Sequence, residues 1–228
     1  MSIENKSLFL IFIFLFLGVS TICAQHQYDK YYTNVDATAF LSDTLLDKSV
    51  EGALINLDLL NAAIFHLTNV ERSKADLTSF VFYKPLYLSA SIHSECMIKY
   101  DFFDHINKQE RQWRTPTDRI LYFESSYISL AENIVENNML DYKGDLFSYR
   151  LGFDQNGNSI YFDVDGNEIL YSTYTSLANR LVTQWMNSKP HRENILNGGY
   201  RLLACSCAIE EKKNPIVIRC TQNFGSLE

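Results

Sequence analysis

Residues 174–196 constrain the fold more than any other part of this 228-residue chain. Tyr174, Leu177, Ala178, Leu181 and Trp185 recur at helical spacing and form one apolar stripe, with Ser172 or Thr173 as the N-cap. Pro190 is expected to stop this helix and turn the chain, which sets His191 just beyond its end. Two distant segments look built to meet that histidine: Phe102-Phe103-Asp104-His105 and Ala131-Glu132-Asn133-Ile134. Two imidazoles and a carboxylate from three segments support a site hypothesis better than they support a named reaction.

The pattern upstream is helical. Leu60, Ala63, Ile64, Leu67 and Val70 share a 3.6-type spacing. Pro85 breaks the chain after it, and Ser89 is expected to cap a second helix whose stripe holds Ala90, His93, Met97 and Tyr100. Thr115-Pro116-Thr117-Asp118 is a helix start, with Thr115 as N-cap, Pro116 in the first turn and Asp118 at the positive end. Ile120, Leu121 and Phe123 would form its buried side. Two strands close the chain, at 202–209 and 216–224, joined by a loop too charged to be buried. Helices, a hairpin-rich stretch, a helix and then strands, without βαβ repetition, predict an α+β fold: a small sheet sandwiched by helices.

Between them, Phe153-Asp154-Gln155-Asn156-Gly157-Asn158 is echoed nine residues later by Phe162-Asp163-Val164-Asp165-Gly166-Asn167. Asn-Gly and Asp-Gly between strand formers predict tandem hairpin turns. A calcium loop is the rival, but Glu168 stands where that loop needs glycine and Tyr174 where it needs glutamate.

The net charge of −7 argues against a nucleic-acid partner, since phosphate binding wants a basic field. Lys6 precedes an uncharged, almost wholly apolar run at 8–19, too short to span a bilayer, and Ile22-Cys23-Ala24 offers a cleavage point. Residues 1–24 are therefore expected to be an export signal, and no transmembrane span is expected once they are removed. Residues 25–56 read as an N-terminal extension. Export permits disulfides among Cys96, Cys205, Cys207 and Cys220. If Glu210 faces Pro215 across the final hairpin, Cys205 faces Cys220. That bridge is expected, with Cys207–Cys220, or no bridge, as rivals.

These residues together resemble the bacterial SCP-like branch of the CAP superfamily: cysteine-rich secretory, antigen 5 and pathogenesis-related 1 proteins. Asn69-Val70-Glu71-Arg72 is similar to its Asn-x-x-Arg helix, and Phe102-Phe103-Asp104-His105 to its aromatic turn ending in histidine. Ala131-Glu132-Asn133-Ile134 stands for Gly-Glu-Asn-Ile. The Trp-x-x-Ser-x-x-His-Arg-x-Asn-Ile-Leu block is matched at every fixed position over 185–196, and Gln222-Asn223-Phe224-Gly225 ends the pattern. The resemblance covers residues 57–226, with 136–171 longer than the family core needs. It implies an α-β-α sandwich with a central antiparallel sheet, a secreted protein (periplasmic, cell-surface or extracellular), and a cleft holding His105, Glu132 and His191. Ser188 stands where eukaryotic members carry a second glutamate.

Several chemistries compete for that cleft. His105 and His191 can ligate zinc or another divalent ion, with Glu132 as a third ligand or as an acceptor behind one imidazole, although no cofactor is required. The plainer reading is a hydrogen-bonded cluster tying helix ends together. No Gly-x-Ser-x-Gly turn is present, and Ser188 reads as a helix exit rather than a nucleophile. His93 reads as a packed core histidine and Cys96 as a small buried hydrophobe. The sequence thus points to a binding or interaction module taking a lipid, a glycan or a protein, with a metal-dependent hydrolase using His105, His191 and Glu132 as the alternative.

Overall fold

Alternation along two long strands organises the molecule. A computed structural model describes residues 30–51, 55–142 and 148–228; the expected export signal and His26 lie outside the described residues. The chain divides into two compact units, Met1–Asp36 and Ala37–Glu228, and every element named here belongs to the second. These are α1 (Ala37–Leu41), α2 (Leu57–Lys74), β1 (Val81–Phe82), α3 (Lys84–Lys99), α4 (Pro116–Phe123), β2 (Tyr127–Asn138), β3 (Arg150–Phe153), β4 (Ser159–Phe162), β5 (Glu168–Ile169), α5 (Tyr174–Asn187), α6 (Lys189–Ile195), β6 (Leu202–Glu210) and β7 (Val217–Leu227).

The main sheet has the order β1-β6-β7-β2, antiparallel except where the two-residue β1 joins β6 in parallel. Almost every residue of β7 is buried, so both faces are covered. On one face Thr221 meets Ser94 of α3 at 2.8 Å, and Arg219 donates to the Met97 carbonyl at 2.6 Å. On the other, Gln222 donates to Thr68 of α2 at 2.8 Å. Successive residues thus reach opposite helical layers, as the period of a strand demands, and the α-β-α sandwich follows.

Several expectations need correction. Pro85 starts α3 rather than separating it from its cap, because a proline in the first turn gives up an N–H that would have no helical partner. Ser89 is therefore buried inside the helix. Pro190 likewise opens α6 instead of turning the chain away; α5 ends at Asn187 and Ser188 serves both helices. Thr115 caps α4 through a capping box with Asp118, as read, and Thr173 is the cap of α5. On α4 only Ile120 of the three expected apolar residues is buried, and Arg119 is buried beside it.

The disulfide joins Cys207 to Cys220, not Cys205 to Cys220. Glu210 pairs with Val217, so the connection is longer than four residues. Pro215 has no N–H to give the ladder, and the strand begins beyond it. Cys205 lies opposite Gln222 and is free and buried, as is Cys96.

The tandem turns form a separate three-stranded sheet, β3-β4-β5. Gly157 and Gly166 have φ of 83° and 90°, the left-handed backbone that the turns require. Asp154 accepts from the backbone N–H groups of Asn156 and Asn158, and Asp163 from those of Asp165 and Asn167. Leu140, Tyr161 and Ile169 form the buried core of this part, with Tyr142, Tyr149 and Tyr171 packed on it.

Candidate functional site

The site forms where β2, an edge strand, meets both helical layers. Glu132 and Asn133 are neighbours on β2 and face opposite ways. Glu132 pairs across the sheet with Asn223 and belongs to the α3 face, while Asn133 pairs with Gln222 on the other. The loop after α3 brings His105 to Glu132, whose Oε1 lies 2.9 Å from His105 Nδ1. On the opposite side Asn133 donates to the His191 carbonyl at 3.1 Å and accepts from Asn194 at 2.8 Å, which seats α6 against the strand. His105 and His191 thus approach the sheet edge from its two faces.

The carboxylate has more partners than its sequence neighbours suggest. Arg119, fully buried, donates Nη2 to Glu132 Oε1 at 2.8 Å and Oε2 at 2.7 Å, and also to the His105 carbonyl at 3.1 Å. Its Nη1 donates to the Trp113 carbonyl at 2.9 Å. His93 Nε2 lies 3.8 Å from Glu132 Oε1 and 3.0 Å from the Asp104 carbonyl, to which it donates. With its amide turned to satisfy both ends, Asn223 donates to Glu132 Oε2 at 3.2 Å and accepts from Ser89 Oγ at 3.1 Å.

Burial alone would raise the Glu132 pKa, but the His105 hydrogen bond, the Arg119 charge and His93 together hold it below the usual carboxylate range. His93 is pushed down to about 4, first by burial and then by the Arg119 charge, against the pull of Glu132. Its Nδ1 has no partner among the described residues, in keeping with a neutral ring whose proton sits on Nε2. Burial and the neighbouring His105 lower the pKa of His191.

His105 and Glu132 are therefore in direct contact, and His191 is tied to the same strand through its backbone carbonyl on Asn133. Ser188 stands at the junction of α5 and α6, half-buried, with no hydrogen bond from its side chain to the cap. The sequence reading missed Arg119, while His93 is the packed, hydrogen-bonded core histidine it expected. An arginine just after a capping aspartate reads as a solvated charge; the buried Ile120 beside it was the available clue.

A model of the CAP family, the cysteine-rich secretory protein family, matches residues 65–224. The chain belongs to the CAP family. No curated protein matches it in sequence. Among solved structures, this CAP chain is similar to an outer surface protein of Borrelia burgdorferi, at 15% identity and a TM-score of 0.51, over 78% of this chain and 100% of that one. An extracellular SCP-domain protein from Bacillus anthracis aligns at 20% identity and a TM-score of 0.48, over 77% of this chain and 45% of the other. A cysteine-rich secretory protein from Staphylococcus aureus aligns at 13% and 0.43, over 77% and 40%. The chain spans less than half of the last two. At these identities the likeness concerns the fold.

In the CAP domain described here, the His105 side chain is 42% exposed, so water reaches the imidazole edge turned away from Glu132. Hollows of about 600 and 620 Å³ open elsewhere, one beside Tyr149 and Asn214, the other beside Arg111 and Tyr122. Among the described residues, no group of three or more His, Cys, Asp and Glu could hold a metal ion. Nor is any helix among them long and apolar enough to cross a membrane.

Proposed function

We propose that this CAP domain is an exported binding module whose ligand, a lipid, a surface glycan or another protein, contacts the exposed His105 edge and the neighbouring His191. The observation that carries this reading is the saturation of Glu132: both carboxylate oxygens are held by buried Arg119, and one also by His105. A general base must be free to take a proton from the reacting group. A carboxylate held below its ordinary pKa by a guanidinium is poorly suited to that task. Export is supported by the apolar run at 8–19, by a disulfide of the kind that persists in oxidising compartments, and by the likeness to an outer surface protein.

Two imidazoles, those of His105 and His191, are the donors that would hold a divalent ion. With Nδ1 engaged by Glu132, His105 has Nε2 left to offer, the orientation that carboxylates behind metal-bound histidines impose. His191 supplies the second ring. Glu132 could join as a ligand only by giving up Arg119. A bound ion would supply Lewis-acid chemistry; the open, wet surroundings of His105 favour ligand bridging over metal hydrolysis, which wants a dry, shaped pocket.

The test is a titration of the purified protein with zinc chloride, phospholipid vesicles and chitooligosaccharides, beside the His105→Ala/His191→Ala double variant. Saturable binding weakened at least about tenfold in the double variant, a 1.4 kcal/mol loss, supports the module. Turnover of casein or a chitooligosaccharide that disappears in the double variant establishes the hydrolase instead.

A further inference from the structure

The small sheet ends in an edge that complements itself. In β3, Arg150, Leu151, Gly152 and Phe153 pair with Phe162, Tyr161, Ile160 and Ser159 of β4. At the turn, the Asp154 N–H donates to the Asn158 carbonyl at 2.9 Å. Bonded pairs alternate along an antiparallel ladder, so Gly152 and Arg150 also direct their backbone groups towards β4. Leu151 and Phe153 therefore direct their N–H and C=O groups outward. Among the described residues no backbone group is bonded to them from that side.

The same two residues are 45% and 65% exposed. An apolar edge with unpaired backbone groups is a template for another strand, and edges are usually blunted by lysine, proline or a bulge. Among these four residues the only charge is Arg150, at the strand's start, and there is no proline.

We infer that β3 pairs with β3 of a second copy of this chain, antiparallel about a dyad at Gly152. That register sets Leu151 against the partner's Phe153 and Phe153 against the partner's Leu151. All four residues turn their backbone groups outward, so each facing pair exchanges two hydrogen bonds. It also sets Arg150 against the partner's Asp154. Arg150 is exposed, has no ion pair among the described residues, and rests beside Gly166 at the second turn, free to swing. Asp154 is held by N–H donors and carries a charge that no cation among the described residues offsets. Shifting the register by two residues either way loses the match: Arg150 then faces glycine, or Asp154 does. The two glycines fit the centre, where Phe162 already covers the face; a Cβ on Gly152 would come within 3.0 Å of its Cε2.

The result is a continuous six-stranded sheet across two molecules, with an apolar pair on one face and an ion pair on the other at each end. The interface is isologous, as a twofold axis requires. Four residues a side bury less than the roughly 1,000 Å² of a stable interface, so the association is weak and depends on concentration. It is independent of the histidine site and of the reading given to it.

Sedimentation velocity on the protein as the cell processes it, over about 10 μM to 1 mM, where weak contacts of this size saturate, should show monomer giving way to dimer. Arg150→Glu, which sets two carboxylates face to face at both ends, and Phe153→Lys should each raise the midpoint at least about tenfold. Val164→Lys, on an exposed residue of the other turn, should leave it unchanged. Amide exchange at Leu151 and Phe153 should slow as concentration rises, and the Cys207–Cys220 bridge in each variant reports that the fold is kept. A monomer throughout the range overturns the inference, as does a dimer indifferent to both edge substitutions or equally weakened by Val164→Lys.

Discussion

At the scale of single residues, the buried array around Glu132 makes stability depend on pH in a direction that can be worked out. His93 has a folded pKa of about 4 against an unfolded value near 6.5. Between those values the unfolded chain binds the proton and the native one does not, so stability falls as pH drops from about 6.5 to 4. From pH 7 to pH 5 the loss is about 2 kcal/mol. Urea midpoints at the two pH values measure it, and His93→Gln should flatten the difference. His191, also depressed, adds in the same direction. Glu132 acts lower: its contribution is present above the unfolded carboxyl value and fades as pH falls through its depressed native one. Arg119→Met would leave that carboxylate buried without its guanidinium and should cost about 3–5 kcal/mol, read by denaturant unfolding at pH 7. His105 and Glu132 were legible because each sits in a short motif whose residue types announce polar work. Arg119 was not, because a buried arginine is indistinguishable in sequence from a solvated one until its carboxylate is found.

At the scale of elements, the helices were legible where apolar spacing or a cap marked them: spacing in α2, the cap in α4 and both in α5. The prolines of α3 and α6 were misread, although Pro116 of α4 was not, since the same residue that forbids a helix interior favours a helix start. Both Pro85 and Pro190 proved to be starts. How α6 is fixed in place could not be read at all, because its anchor comes from another helix. Arg72 of α2, fully buried, donates Nη1 to the carbonyls of Ile195 at 2.7 Å and Asn197 at 2.9 Å, and Nε to that of Thr78 at 2.8 Å. Its guanidinium also lies 3.8 Å from the centre of the Phe80 ring. The arginine of the Asn-x-x-Arg motif thus ties off the C-terminal end of the helix that carries His191, where helix carbonyls lack partners. Asn69 of the same motif brackets Phe80, donating to its carbonyl at 3.1 Å and accepting from its N–H at 2.7 Å. Arg72→Met should therefore lower stability by at least about 4 kcal/mol, since three charge-assisted hydrogen bonds are lost, and should loosen α6. Faster amide exchange through α6, with exchange in α3 unchanged once corrected for global stability, is the measurement that separates an anchor from a general core residue.

At the scale of the whole molecule, register is the quantity that the sequence left open. Cys205 and Cys207 sit two residues apart on one strand and face the same way, so alternation could not choose between them as the partner of Cys220. The choice was made by distant contacts. Asn61 of α2 accepts from the Cys207 N–H at 3.0 Å, β1 pairs with the start of β6, and Arg201 donates to the Gly225 carbonyl at 3.1 Å. Sliding β6 by two residues to bring Cys205 opposite Cys220 would break all three. Without a slide, Cys205 is only diagonal to Cys220, where residues on neighbouring strands lie about 7–8 Å apart, beyond the roughly 4.4–6.8 Å between Cα atoms that a bridge spans. Cys207→Ser should therefore leave Cys205 and Cys220 both as thiols, although they sit on neighbouring strands. The lost bridge closes a short loop, and its removal should cost about 3 kcal/mol of stability on the chain-entropy account. Peptide mapping of the variant under non-reducing conditions decides the point: a Cys205–Cys220 peptide would mean that the strand can slip, and that the contacts from α2 and β1 do not hold the register of the sheet.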